Sequence, residues 1–441
     1  MLDHLLTVCV LGSHGLAMRR FVRALRDRQL PEPIDFTALS AILYYDLGLL
    51  AEWLTGEIAP SRYFPSIWQL DPLAKALAFG FVAFAPWCIR AGGWLIADRS
   101  RAASPLAQSA APLARVAFLG FALPAGAFMA WWAITYLPGR AIWEARANVG
   151  LDLGAYVVAL YLPVHLLAFY IQRPESRTRL GVWVALALAA FAIGATLPIG
   201  QRTNALLPLL LLLMFWRTPS LRTITMGAIA LFVSAALLLP LFKWQFAGEN
   251  SVPTSELIVS TFNSDLGRTP VLADALGRSP LVGTEVMPYA GAGYVYTALF
   301  FVPRSELPEK GYATAIEFTA AVVNEPAEMV NWRFGVGVVE ELMLNFGTLA
   351  VPFGLTVFGI ALTYGSRAAR RLPVLRVPLC LGALWSFGYD SASLVLLFGM
   401  MAAVCVGLDG LMRVFSFRPS ASTRSGVRRP VMSGPMAVRE G

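Results

Sequence analysis

The run Gly335-Val-Gly-Val-Val-Glu340-Glu341-Leu-Met-Leu-Asn345-Phe-Gly347, continuing without another charge to Tyr364, decides how this chain is read. Its apolar length predicts a membrane-crossing helix over 336–364, because about 20 helical residues traverse a hydrocarbon core. Carboxylates inside such a helix cost roughly 3 kcal/mol apiece if they meet lipid, so they are expected to face a cavity or a partner. Glu341 enters this span by about six residues, roughly 9 Å along it. Four positions on, Asn345 shares its helix face. Two explanations stand side by side. Gly335, Gly337 and Gly347 suit close helix packing, whereas Glu341 suits a proton acceptor or the partner of an arginine.

The rest of the chain has the same apolar character. Its 441 residues are 57% hydrophobic and 14% charged, with a mean hydropathy of +0.62, far from soluble norms. No water is available inside a bilayer to satisfy backbone groups, so each span must be helical, and the alternation of a barrel strand is absent. The expectation is an all-α, polytopic transmembrane helical bundle of about 10–11 spans with no β domain. Spans are expected at 35–54, 73–97, 113–136, 153–171, 180–198, 203–216, 223–243, 336–364, 377–388 and 391–412. Residues 1–18 are apolar but contain Asp3, His4 and His14. They are read either as a further, shortened span or as an interfacial helix, and they lack the features of a secretory signal. No internal repeat is visible, which weakens an inverted-repeat transporter.

The formal charge of +8 suggests a nucleic-acid partner, but its placement argues against one. Arg19, Arg20, Arg23, Arg26 and Arg28 precede the 35–54 span, and every second link after it is again arginine-rich. That alternation is the positive-inside pattern. It assigns those links and both termini to the cytoplasmic side. It divides the chain into N-terminal transmembrane helices (1–243), a large periplasmic loop (244–335), C-terminal transmembrane helices (336–412) and a disordered cytoplasmic tail (413–441). The loop carries five basic residues against ten acids. Cys9, Cys88, Cys380 and Cys405 lie in apolar runs without disulfide or metal-site spacing. The loop has no histidine, DxD or HExxH pattern, so we expect no metal there and name no cofactor.

Several cations fall on the outer side. The turn Gly200-Gln201-Arg202-Thr203-Asn204 starts a helix whose free N–H groups point outward. There Arg202 either completes an anion site or snorkels to lipid headgroups. Arg304 lies between the stiffening prolines Pro303 and Pro308, and Lys310 follows two residues after Pro308. They either grip a phosphate or simply balance Glu306 and Glu309. Arg140 and Arg146 flank Trp143 and either complete an anion-binding ring or anchor an interfacial helix. Glu317 is a loop carboxylate, most simply solvated.

Three of these pieces resemble the bacterial O-antigen or oligosaccharide repeat-unit polymerases, polytopic inner-membrane glycosyltransferases. They are Gly200-Gln201-Arg202 opening an apolar helix, Phe301-Val-Pro-Arg304 with Pro308-Glu-Lys310, and Glu341-Leu-Met-Leu-Asn345-Phe346-Gly347. The last is similar to the family's Glu-x-x-x-Asn-Phe-Gly signature, and Pro33-Ile-Asp-Phe before a span also looks familiar. The resemblance implies transfer of a glycan from a polyprenyl diphosphate to a sugar hydroxyl of an incoming lipid-linked repeat unit, at the periplasmic face. It makes Arg202, Arg304, Lys310, Arg146 and Arg140 the diphosphate-binding set, holding developing negative charge without metal. It makes Glu341 the first and Glu317 the second candidate for proton acceptor, with Asn345 and Glu340 supporting. The implied partners are the lipid-linked donor and acceptor, membrane lipids and a chain-length regulator protein, with no nucleic acid. O-antigen ligases usually carry a histidine in the large loop, so its absence favours a polymerase. A flippase or transporter is the rival, and it requires polar residues that thread the spans from face to face.

Overall fold

The computed structural model describes residues 2–27, 29–55, 63–96, 153–173, 178–196, 202–215, 267–303, 305–330 and 333–416, with Ser176, Ser220, Arg222, Thr225 and Met226. Helices dominate, and no strand occurs among the described residues. Three of the described helices are long and apolar enough to cross a membrane: Leu2–Arg26, Pro72–Leu95 and Ser391–Val414.

The first of these resolves the ambiguity at the N-terminus. Helix α1 (Leu2–Arg26) buries Thr7, Val10, His14, Ala17, Phe21 and Leu25, a stripe at three- and four-residue intervals. Leu5, Val8, Leu16 and Val22 face outward instead. Polar inside and apolar outside is the arrangement lipid demands, and with 25 residues α1 is a full-length candidate span rather than a shortened one. Helices α2 (Pro33–Ala41) and α3 (Leu47–Thr55) form one rod through a π turn at Ile42–Asp46. Next comes α4 (Pro72–Leu95), whose start is fixed by Asp71 accepting the N–H groups of Leu73 and Ala74 and by Pro72 in the first turn.

Side-chain pairs set the directions. Lys75 meets Asp3 at 2.8 Å, His14 lies 2.9 Å from the Val82 carbonyl, and Arg90 donates to Ala17, so α1 and α4 run parallel. Asp46 on His14 and Asp35 on Arg20 bring the α2–α3 rod back between them. Helices α5 (Leu153–Ile171), α6 (Arg179–Thr196) and α7 (Arg202–Phe215) follow where apolar runs place them. The spans expected at 113–136 and 223–243 lie outside the described residues, apart from Thr225 and Met226.

Within 244–335 the described part is folded, with α8 (Thr269–Arg278), α9 (Ala292–Ala298) and α10 (Thr314–Val323). Phe318 and Phe334 close around Phe64 at 6.0 and 4.4 Å between ring centroids, forming a small core with Val271, Ala315 and Leu344. The described part of the expected polar loop is therefore a packed cap.

The span expected over 336–364 is two helices, α11 (Val338–Phe346) and α12 (Ala350–Arg371). Gly347 breaks it with φ 91°, and a Cβ there would sit 2.7 Å from the Leu281 carbonyl, so the cap backbone presses on the break. The chain then runs through α13 (Arg376–Trp385), α14 (Ser391–Leu394), a π turn at Val395–Gly399 and α15 (Met400–Ser416).

Arginine-rich segments gather at one end of the bundle. Arg370 pairs with Glu32 at 3.1 Å, Arg376 donates to the Leu30 carbonyl, Arg367 to that of Ile96, and Arg173 to Asp409. The cap lies toward the opposite end. The Asp3–Lys75 pair sets the start of α1 beside the start of α4, away from those arginines, while Asp409 and Arg413 near the end of α15 lie with them.

Helices α4 and α12 cross closely. A Cβ on Gly92 would stand 2.0 Å from the Thr356 carbonyl oxygen, and one on Gly359 would stand 1.8 Å from that of Ile89. Gly359→Val is expected to cost more than about 3 kcal/mol, read as a lowered unfolding temperature in detergent. Gly80→Ala, on the same α4 with no atom within 4 Å of the new carbon, is expected to leave it unchanged.

Candidate functional site

Where the cap meets the bundle, four helices share one hydrogen-bonded node. Glu341, 1% exposed, is its centre. The Ser391 N–H donates to its Oε2 at 2.8 Å, while the Ser391 hydroxyl at 2.7 Å and the Thr314 hydroxyl at 3.2 Å donate to its Oε1. Asn345, one helical turn along α11, donates through Nδ2 to Thr314 at 3.1 Å and accepts the Gly293 N–H at 3.0 Å. The Thr297 and Ser391 hydroxyls, 2.9 Å apart, are the half-buried members through which the node approaches the surface. Asp390 caps α14 by accepting the Ser393 N–H, and its other oxygen accepts the Ala315 N–H at 3.2 Å. The Glu341–Asn345 spacing therefore does what helix geometry allows: one face of α11 reaches α9, α10 and α14 together.

Glu340 faces another way, toward the bundle. The Tyr45 hydroxyl donates to it at 2.7 Å, and the Gly337 N–H closes the first turn of α11 at 3.1 Å. Helix α11 has nine residues, too few to cross a bilayer. Burial holds both of its carboxyls above the usual carboxylate range, and for Glu341 the neighbouring Asp390 adds to the rise. Tyr294 stacks on Phe346 at 5.7 Å. Burial and then the charges of Glu341 and Asp390 hold its phenol strongly protonated.

The other expected site residues fare differently. Lys310 is not presented to solvent. It is buried, donates to the carbonyls of Phe300 at 3.1 Å and Val302 at 2.7 Å, and lies 5.0 Å over the Tyr296 ring. An ammonium taken out of water needs such acceptors, so Lys310 closes its own turn on the far side of α9. Glu317 accepts the Tyr312 N–H at 3.0 Å and so braces the entry to α10. Arg202 is the first residue of α7, with its side chain outside the described set. Arg140, Arg146 and Arg304 also lie outside the described residues. The structure thus unites Glu341 and Asn345, sets Glu340 on an adjoining contact and keeps Lys310 and Glu317 elsewhere.

One arginine escaped the sequence reading. Arg268 is 8% exposed, spans the carbonyls of Gly267 and Gly388, and lies 5.5 Å from the Tyr44 ring. Its only sequence signal is a position just before Thr269-Pro270 at a helix start, which says nothing about burial. Ser391 and Thr314 escaped too, although Asp390-Ser-Ala-Ser393 is a readable N-cap.

The chain matches no family model, no curated protein and no solved structure.

Glu341→Ala removes the acceptor for three buried donors, and each orphaned group costs about 1–3 kcal/mol. The variant is expected to lose at least about 3 kcal/mol and to open the cap to limited proteolysis. Glu341→Gln keeps an oxygen for the Ser391 N–H while both hydroxyls rotate to accept its amide. Its unfolding temperature is expected to stay close to that of the parent.

Proposed function

We propose that this protein is a membrane glycosyltransferase that polymerises polyprenyl-diphosphate-linked oligosaccharide repeat units into O-antigen or a related surface polysaccharide. The observation that supports it most is the node itself. Glu341 and Asn345 of the Glu-x-x-x-Asn-Phe-Gly resemblance are buried polar groups brought together under a folded cap, not side chains spread along a lipid-facing helix. Function in this reading belongs to the cap end, on the periplasmic side of a multi-pass inner-membrane bundle. The arginine-rich end faces the cytoplasm, which puts Leu2 outside and Ser416 inside.

In the reaction, a hydroxyl of the incoming repeat unit attacks the anomeric carbon of the growing chain. The bond from that carbon to the diphosphate oxygen breaks, and the diphosphate departs with the electron pair. Arg202 and Arg304, with Arg140 and Arg146, neutralise the departing group, while Lys310 stiffens the turn that carries Arg304. The attacking hydroxyl gives its proton to Glu341, entering where the Ser391 hydroxyl now sits. Because burial raises the Glu341 carboxyl, its proton-accepting form grows with pH, and the transfer rate rises with it. Glu317 is the second candidate for this role, and a chain-length regulator is the expected protein partner.

A transporter of lipid-linked glycans is the second reading. It draws on the polar pairs Asp3–Lys75, His14–Asp46 and Asp35–Arg90, which line α1 from end to end.

Complementation of a deletion strain separates the two. Glu341→Gln is expected to insert normally and to abolish the long-chain ladder while single-repeat product persists. Arg202→Ala and Arg304→Ala are each expected to reduce chain extension about 100-fold. A normal ladder from Glu341→Gln rules out its base role, and loss of every glycan in the deletion strain supports the transporter.

A further inference from the structure

His14 is fully buried midway along α1, and both of its ring nitrogens face oxygen. Nδ1 lies 2.7 Å from Asp46 Oδ1, and Nε2 lies 2.9 Å from the Val82 carbonyl oxygen. A carbonyl only accepts, and so does an ionised carboxylate. Neutral imidazole has a single N–H and cannot serve both contacts while Asp46 is ionised. The geometry closes when the pair holds one further proton, either as imidazolium against carboxylate or as neutral imidazole accepting from protonated Asp46. Both forms are neutral overall, which is what an apolar surround favours.

We propose that His14 and Asp46 form an intramembrane proton-binding site, and that the bound proton fastens α1 to the α2–α3 rod and to α4. The inference stands apart from the glycosyltransferase reading. The π turn supports it: Asp46 ends the widened turn Ile42–Asp46, a device that often marks functional positions in helices. Position supports it too. Along α1, His14 lies about 16 Å from Asp3 and about 9 Å from Arg20 at 1.5 Å per residue, well inside the span.

Arg19, Arg23, Arg26 and Cys9 on these elements are exposed, Cys88 is half-buried and Tyr44 lies against Arg268, while the remaining charged or titratable groups have their own partners. Asp3 pairs with Lys75, Arg20 and Arg90 with Asp35, Glu52 with Trp68, Tyr45 with Glu340, and His4 with Trp53. Among the described residues, the ion pair that Asp46 makes is with His14. Loss of the proton leaves one buried negative charge and one oxygen-facing contact without a hydrogen. Either α1–α3 or α1–α4 must then loosen.

Nitrogen-15 NMR of histidine-labelled full-length protein in lipid nanodiscs tests this directly. The chain has three histidines, and His4→Gln and His165→Gln, made singly, assign the spectrum. The expected result for the parent protein at neutral pH is a His14 ring with both nitrogens protonated, or one unprotonated nitrogen together with an infrared carboxylic-acid band lost in Asp46→Asn. In Asp46→Asn the side-chain amide donates to Nδ1 and neutral Nε2–H still serves Val82, so no extra proton is needed. That variant is expected to keep α1 docked and to lose the parent's acceleration of α1 amide exchange as pH rises, after correction for intrinsic exchange. One unprotonated His14 nitrogen with Asp46 ionised overturns the proposal, as does an identical pH course of α1 exchange in parent and variant.

Discussion

Glu341 holds the cap to the bundle, and the geometry of the outer end depends on it. One carboxylate collects donors from α10 and from the start of α14, and Asn345 carries the same bracket to α9. No other described contact joins all four elements. The arrangement suits a region at the edge of an apolar medium. A carboxyl there is costly alone and holds firmly once its oxygens are occupied. Its neighbour Asp390 adds to the constraint, since a second buried acid close by raises the Glu341 carboxyl further.

Much of the bundle was legible because membrane helices announce themselves by length. The apolar runs at 73–97, 153–171, 180–198, 203–216 and 391–412 correspond to helices whose ends differ from those bounds by only a few residues. The break inside 336–364 was hidden, because Gly347-Thr348-Leu349 reads as an ordinary apolar stretch and only the pressing Leu281 backbone makes it a corner. Residues 1–18 were ambiguous for a related reason. Asp3, His4 and His14 look unfit for lipid when counted in sequence, yet Asp3 and His14 meet bundle partners once the helix is folded. Hydropathy sums residues without asking which way each one points.

The candidate site was legible in part. The spacing of Glu341 and Asn345 announced a shared face, and that face is where the polar contacts are. What the sequence hid was the identity of the groups opposite, Thr314, Ser391 and Gly293, which come from distant segments with no pattern of their own. In sequence Lys310 reads either as a phosphate-gripping cation or as a balance for Glu306 and Glu309, and it is neither: its ammonium is held by carbonyls of its own turn.

The two buried polar systems share a short piece of backbone. Tyr45 donates to Glu340 on α11, and the next residue, Asp46, meets His14 on α1. Successive residues on an ordinary helix point about 100° apart, so one rod can serve both neighbours at once. The π turn that contains both residues sets their register together: shifting one contact by a residue displaces the other. The α2–α3 rod thus touches both buried polar systems through two successive residues of one turn.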